Sequence, residues 1–370
     1  MSMVSKSQDY TWEDKKMHID DLLRMTVVKG ASDLHLKVGG APVLRINGEL
    51  IPQDEMPEIT AEDMKQVFEE ITTNEQRSSF ASELELDFAY QANGIGRFRI
   101  NVCLQRDTIS LACRPVRTQI PTIEELGLPE VCKSLALKPS GLIIVTGPTG
   151  CGKSTTLAAM MSYLNEKEKR KVITIEDPIE FVHQDNKCMF SQRELGIDTK
   201  SFASALKHAL RQDPDVILVG EMRDLETMAA TLTAAETGHL VLTTLHTPSA
   251  PQAVDRFIDI FPAYQQQQVR IQLSTALEGV LYQTLVPRID GSGRVAAVEV
   301  MLATSAVRNL IREGKTYQLM NAIQTGSQYG MQTLDQALVA LCRNGIISRE
   351  EALARSIDAE ELKGMLDGSH

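Results

Sequence analysis

The stretch from Gly141 to Thr155, GLIIVTGPTGCGKST, constrains this chain more tightly than any other. Leu142, Ile143, Ile144 and Val145 make a short apolar run, the pattern of a strand buried on both faces in a parallel sheet. A glycine-rich turn then delivers the chain into Lys153, Ser154 and Thr155, where a helix is expected to start. At Gly147, Gly150 and Gly152 a Cβ would crowd the turn or hold a phosphate away from backbone N–H groups. The helix start adds unpaired N–H groups and a positive dipole end. The run Gly147, Pro148, Thr149, Gly150, Cys151, Gly152, Lys153, Ser154, Thr155 therefore predicts a nucleotide-binding loop. In it Lys153 reaches the β- and γ-phosphates and the Ser154 hydroxyl ligates the Mg²⁺ bridging them.

An apolar content of 43% over 370 residues supplies enough material for two or three cored domains. The net charge of −11 repels phosphate backbones and anionic lipid, which disfavours a general nucleic-acid binder. No apolar run is long enough to span a bilayer, and the opening MSMVSKSQDYTWEDKK lacks the apolar centre of a signal peptide. The expectation is a cytoplasmic protein without membrane insertion. Six cysteines (Cys103, Cys113, Cys132, Cys151, Cys188, Cys342) include no C-x-x-C pair, so neither a zinc site nor a disulfide framework is indicated. Cys151 reads as a small residue filling a tight turn.

Residues 1–16 are polar and aperiodic and are expected to form a flexible extension. Ile19, Leu22, Leu23 and Val27 fit one helix face, and SDLHLKV alternates as a half-buried strand. Pro42, Asn47-Gly48 and Pro52 punctuate short strands. A helix is expected over Ala61–Ile71, started by Thr60 with Asp63 three residues on. Strands follow at Leu84–Tyr90, Arg97–Leu104 and Thr108–Cys113. The whole describes a small α+β domain over residues 17–114. His35 reads as a packing or hydrogen-bonding residue. Arg97, Arg99, Arg106 and Arg114 concentrate positive charge on this domain, either as a solvated face or as arginine fingers reaching a nucleotide held by the next subunit. PVRTQIP, residues 115–121, reads as an interdomain linker.

Beyond it, strands alternate with helices over 122–300 and specify an α/β domain with a parallel sheet, whose site lies at the C-terminal strand ends. DVILVGEMRD ends an apolar strand at Gly220-Glu221 and places Glu221 as the general base for an attacking water. Glu176, Asp177 and Glu180 end a neighbouring strand, where they can reach Mg²⁺ through water or position the nucleophile. His239 and His246 bracket LVLTTL and are read as sensors of the γ-phosphate or of a subunit boundary. Residues 301–370 read as a helical region, from SAVRNLIREG, LDQALVALCRNG and SREEALARS.

Taken in order, GPTGCGKSTT, ITIEDPIEF, LRQDPDVILVGEMRDLET and TGHLVLTTLHT resemble the Walker A, aspartate, Walker B and histidine boxes of the secretion and type IV pilus hexameric ATPases. The resemblance runs over nearly all of residues 17–365. Within that superfamily ASDLHL, AVRNLIREGK (306–315) and GMQTLDQALVALCRNGIIS (330–348) are similar to the retraction members that drive twitching motility. This implies a PAS-like N-terminal domain, a RecA-like ATPase core, ATP/ADP and Mg²⁺ as ligands, and a homohexamer. The ring would dock on the inner-membrane platform protein of the pilus machine, peripheral to that membrane, with other pilus ATPases as further partners. By the same resemblance Lys153 and Ser154 hold phosphates and Mg²⁺, Glu180 and Glu221 are the catalytic carboxylates, also near the metal through water, and His239 and His246 form the histidine box. Arg99, Arg106 and Arg114 are the carried-over arginines.

The aspartate of a general Walker B box is Gly220 here, as in that family, so the metal relies more on Ser154 and water. TYQLMNAIQTG carries Leu319-Met320-Asn321 where many relatives have a proline-containing variant. Assembly and secretion members generally carry an added N-terminal region and a tetracysteine zinc element, neither of which is read here. The retraction type is therefore favoured, with an accessory retraction paralogue as the nearest rival. A nucleic-acid translocase is opposed by the acidic charge and the 5% aromatic content. A nucleotide-gated interaction protein would keep Lys153 without needing Glu180 or Glu221.

Overall fold

The computed structural model describes residues 18–46, 48–116 and 119–367. The expected extension over 1–16, Asn47 of the Asn47-Gly48 turn and Arg117-Thr118 of the expected linker lie outside the described residues. The chain divides after Thr118 into two compact units.

The first unit runs α1 (Ile19–Val28), β1 (Asp33–Lys37), β2 (Val43–Ile46), β3 (Glu49–Pro52), α2 (Ala61–Ile71), α3 (Asn74–Glu83), β4 (Glu85–Ala92), β5 (Gly96–Gln105) and β6 (Thr108–Pro115). Its six strands form one antiparallel sheet in the order β3-β2-β1-β6-β5-β4. Leu34, Leu36, Phe98, Ile100, Val102 and Leu111 project from one face and share a core with Leu22, Leu23, Met64, Val67 and Phe80 of the helices. The alternate residues, Asp33, Arg99 and Arg114 among them, stand on the other face. Thr60 and Asp63 close α2 with the expected capping box. α3 has no counterpart in the sequence reading because Phe80 is its single buried residue, leaving no apolar stripe to detect. Pro115 is the last residue of β6, opposite Phe98, and so belongs to the sheet and not to the linker.

The second unit runs α4 (Val131–Ala136), β7 (Gly141–Thr146), α5 (Lys153–Lys167), β8 (Lys171–Glu176), β9 (Met189–Glu194), α6 (Phe202–Ala209), β10 (Val216–Val219), α7 (Leu225–Glu236), β11 (Leu240–Leu245), α8 (Ala250–Asp259), α9 (Ala263–Ala276), β12 (Leu277–Pro287), β13 (Arg294–Leu302), α10 (Ser305–Arg312), α11 (Leu319–Gln324), α12 (Leu334–Arg343), α13 (Arg349–Arg355) and α14 (Ala359–Asp367). Seven strands form its sheet in the order β13-β12-β7-β11-β10-β8-β9, all parallel except β13. Along β7, Leu142 and Ile144 enter a core with Leu232, Phe257 and Leu273 of α7 to α9. Ile143 and Val145 enter the opposite core with Leu135 of α4 and Leu157 and Leu164 of α5. Burial on both faces is what the unbroken apolar run requires. This is the expected α/β architecture.

Met301 pairs with Val280 in the β12–β13 hairpin, so the C-terminal helical region begins after Leu302 and not at 301. The hairpin's far end, Val286 and Val295, packs with Leu338, Ala352 and Leu362 of α12 to α14. Within AVRNLIREGK, Arg308 donates to the Ser274 and Thr275 carbonyls at 3.0 and 2.6 Å and to Glu278 at 2.7 Å, capping α9. Glu299 of β13 is wholly buried and accepts the Ala250 N–H at 2.7 Å, so it anchors the start of α8. Among the described residues no helix is long and apolar enough to cross a membrane.

His183, between β8 and β9, stacks on Phe190 with ring centroids 4.6 Å apart, and burial pushes its imidazole down to about 4. The unfolded chain takes up this proton near the ordinary histidine value while the folded chain resists it. The contribution is complete above about pH 6.5 and is lost as the pH falls toward 4. His183→Phe should therefore lose less stability than the parent between pH 7 and 4.5 when urea midpoints are compared; equal losses would contradict this assignment.

Candidate active site

The turn between β7 and α5 is shaped by its neighbours. Gly147 has φ +143°, and a Cβ there would stand 2.3 Å from the Gln283 carbonyl oxygen and 2.8 Å from Cys151 Sγ, so no other residue fits. Lys153, 8% exposed, donates to the Gly147 and Pro148 carbonyls at 3.0 and 3.1 Å. Its ammonium is thus held against the loop by the backbone that the loop itself supplies. Ser154 follows in the first turn of α5, and its hydroxyl has no hydrogen bond to any described residue.

β11 lies between β7 and β10 in the sheet, so Glu221, at the end of β10, is two strands away from the loop. His246, at the end of β11, spans the gap: its Nδ1 is 3.5 Å from Lys153 Nζ and its Nε2 is 3.2 Å from Glu221 Oε1. Lys153 can only donate, so a hydrogen bond from it needs Nδ1 as acceptor, leaving Nε2 to face the carboxylate. Arg223 Nε closes the row at 2.7 Å from Glu221 Oε1. Hydrogen bonding to Arg223 holds the Glu221 carboxyl below the usual carboxylate range, against the opposing effect of burial. Below the row Thr247 N–H donates to Thr146 Oγ1 at 2.8 Å, and that hydroxyl lies 3.0 Å from the Thr247 carbonyl, tying the turn after β11 to the last residue of β7.

The other carboxylates separate into two kinds. Glu176, ending β8, accepts from Thr174 Oγ1 at 2.6 Å and Gln192 Nε2 at 3.1 Å, and burial pushes its carboxyl up to about 7; it serves the strand end. Asp177 and Glu180 are exposed, and Glu180 has no hydrogen bond to a described residue. At Gly220, where a general Walker B box has aspartate, a Cβ would meet Glu176 Cα and the Ile175 carbonyl at 3.2 Å, closer than ordinary contact. Among the described residues no cluster of three His, Cys, Asp or Glu side chains could cage a metal. The donor set fits Mg²⁺ of the kind carried in on phosphates, with one hydroxyl from the chain and the rest water.

Two sequence expectations are corrected here. His239 stands at the start of β11, its carbonyl accepting from Gly141 N at 3.0 Å and its ring on the Ala234 carbonyl at 2.9 Å. The six residues of β11 put about 20 Å between it and the phosphate loop of its own chain, which leaves the subunit-boundary reading for it. The arginines are also not one group. Arg99 and Arg114 are directly opposed across β5 and β6, but Arg106 sits in the turn beyond Gln105 with φ +48°, seven residues from Arg99. Arg114 is engaged within its own unit, Nε and Nη2 lying 2.8 and 2.7 Å from Asp33 Oδ1.

Gln283 joins the site from outside every motif, and Arg223 and Thr247 join it from within the Walker B and histidine boxes, where no role was read for them. For Gln283 a signal exists, a lone carboxamide inside the apolar run of β12, since a buried polar group implies a partner.

A family model described as "Type II/IV secretion system protein" matches residues 15–292. The chain is 49% identical over 91% of its length to the type IV pilus retractation ATPase PilT of Pseudomonas aeruginosa, covering 97% of that protein. It is 46% identical over 87% of its length to a twitching motility protein of Neisseria gonorrhoeae, covering 86% of it. The crystal structure of the pilus retraction motor PilT with bound ADP superposes with a TM-score of 0.87 at 45% identity, over 94% of this chain and 99% of that one.

Gly147→Ala tests the close approach of β12 to the loop. The overlap with Gln283 should cost on the order of 1–3 kcal/mol of stability, read as a lowered urea midpoint; an unchanged midpoint would show that the loop is not confined there.

Proposed function

The chain belongs to the type II/IV secretion system protein family, and on that premise we propose that it is an ATP-hydrolysing motor, working as a ring of six, that powers type IV pilus retraction and twitching motility. The observation that carries the proposal is the unbroken polar row Lys153–His246–Glu221 across three parallel strands, in a chain similar over nearly its full length to a retraction ATPase.

Lys153 and the loop N–H groups bind the β- and γ-phosphates, and Lys153 offsets charge that develops as the γ-phosphoryl leaves. Glu221 orients the attacking water and accepts its proton; its depressed pKa keeps it ionised for that task. His246 keeps the ammonium and the carboxylate apart while holding each by a hydrogen bond, so the two charges do not neutralise one another directly. The Ser154 hydroxyl would hold a Mg²⁺ arriving with the nucleotide, which would supply further charge neutralisation at the phosphates. Glu180, exposed beyond β8, is the second carboxylate of the reading. Arg99 and Arg114 of one copy are proposed to complete the site of the next, which requires Arg114 to exchange Asp33 for phosphate. The ring acts at the cytoplasmic face of the inner membrane, on the platform protein of the pilus machine.

Glu221→Gln should bind ATP with little change and hydrolyse it at least about 100-fold more slowly, as read by phosphate release. Undiminished release removes Glu221 from catalysis. In the same assay single-stranded DNA should have no effect, since a translocase would be stimulated, and light scattering with ATP should give a mass near six chains.

A further inference from the structure

Gln283 meets the phosphate loop at Gly147 and at Cys151, and it lies 132 residues beyond the cysteine it bonds. β12 pairs with β7 in parallel up to Tyr282 opposite Thr146, so the next residue, Gln283, falls beside Gly147, where the strand gives way to the loop. Its backbone carbonyl fills the space that glycine leaves open. Its side chain, 1% exposed, turns toward the loop's second half: Nε2 donates to the Cys151 carbonyl at 2.6 Å, and Oε1 accepts from Thr156 Oγ1 at 2.8 Å. Thr156 is itself buried, one turn into α5. A carbonyl cannot donate, so the amide nitrogen must face Cys151 and the oxygen must face Thr156; the orientation is not interchangeable.

The consequence follows from the planar trans peptide. In the unit joining Cys151 to Gly152, C=O and N–H point in opposite directions. Gln283 holds the carbonyl toward β12, so the Gly152 N–H is turned away from β12. The second bond, to Thr156, locks this arrangement to the helix that presents Lys153 and Ser154.

We propose that Gln283 is a positioning residue that holds the phosphate loop in its anion-binding form by fixing the Cys151–Gly152 peptide, so that nucleotide affinity is set in part by the β12–β13 hairpin. The inference rests on the nucleotide-binding reading of the loop. Without the clamp the peptide is free to turn, and part of the binding energy is spent restoring it.

The test is calorimetric titration of the full-length chain with MgADP, alongside steady-state ATP hydrolysis. Gln283→Met keeps the side chain's length and burial but removes both hydrogen bonds. It should raise the Kd for MgADP and the KM for ATP about tenfold, with kcat changed less than about threefold. Gln283→Glu can still accept from Thr156 but presents a carboxylate to the Cys151 carbonyl, and should bind more weakly than Gln283→Met. Thr156→Val, which leaves the Cys151 bond in place, should raise Kd about threefold and supplies the reading if the position-283 variants do not fold. Folded variants with parental Kd, or a fall in kcat at unchanged KM, overturn the proposal. Lys153→Ala in the same titration separates the two levels: if it too binds MgADP like the parent, the loop reading itself fails, whereas a loss confined to Lys153→Ala removes only the role of Gln283.

Discussion

The parallel pairing of β7, β11 and β10 is the constraint on which the site depends. Parallel strands present all their C-terminal ends at one edge, so a loop, a histidine and a carboxylate that are far apart in sequence meet there without any connecting segment. The spacing between neighbouring strands, about 4.8 Å, sets Lys153 and Glu221 apart by two strands and leaves room for one imidazole between them. A direct lysine–glutamate ion pair would partly cancel the two charges. The interposed ring prevents that.

The hydroxyl of Thr146 and the glycines are the second layer of the same design. Thr146 holds the turn that carries Thr247, directly after His246. Gly147 admits the Gln283 carbonyl, and Gly220 lets the end of β10 pass beside the end of β8. Each is a place where a side chain was omitted so that two backbones could approach, and each bears directly on where Lys153 or Glu221 ends up. Helices α12 to α14 pack on the β12–β13 pair, of which β12 carries Gln283 and β13 carries Glu299, whose buried carboxylate fixes the start of α8.

Much of this was legible in the order of the residues. The run Leu142–Val145 read as a strand buried on both faces, the glycines and Lys153 after it as a nucleotide-binding loop, and Glu221 at the end of an apolar strand as a group at the same edge. Thr60 and Asp63 announced α2, and AVRNLIREGK announced α10. What escaped was whatever lacked a period or a partner in sequence. α3 buries one residue and has no stripe. His239 precedes LVLTTL, so the parallel sheet read from the sequence already set it at the edge away from the loop, and the histidine-box resemblance grouped it with His246 all the same. The arginines looked like a cluster because they are close in number, yet a β-hairpin sends Arg106 to its tip and pairs Arg99 with Arg114.

The sequence by itself determined the chemistry on offer, because phosphate binding and water activation demand particular groups in local patterns: glycines before a lysine at a helix start, and a carboxylate after an apolar strand. The tertiary structure alone decided which groups meet. Strand order placed β11 between β7 and β10 and so set His246 between Lys153 and Glu221, and the pairing of β12 with β7 brought Gln283 to Cys151 across 132 residues. Strand order and long-range register leave no trace in local spacing, since they are settled by which buried faces pack together.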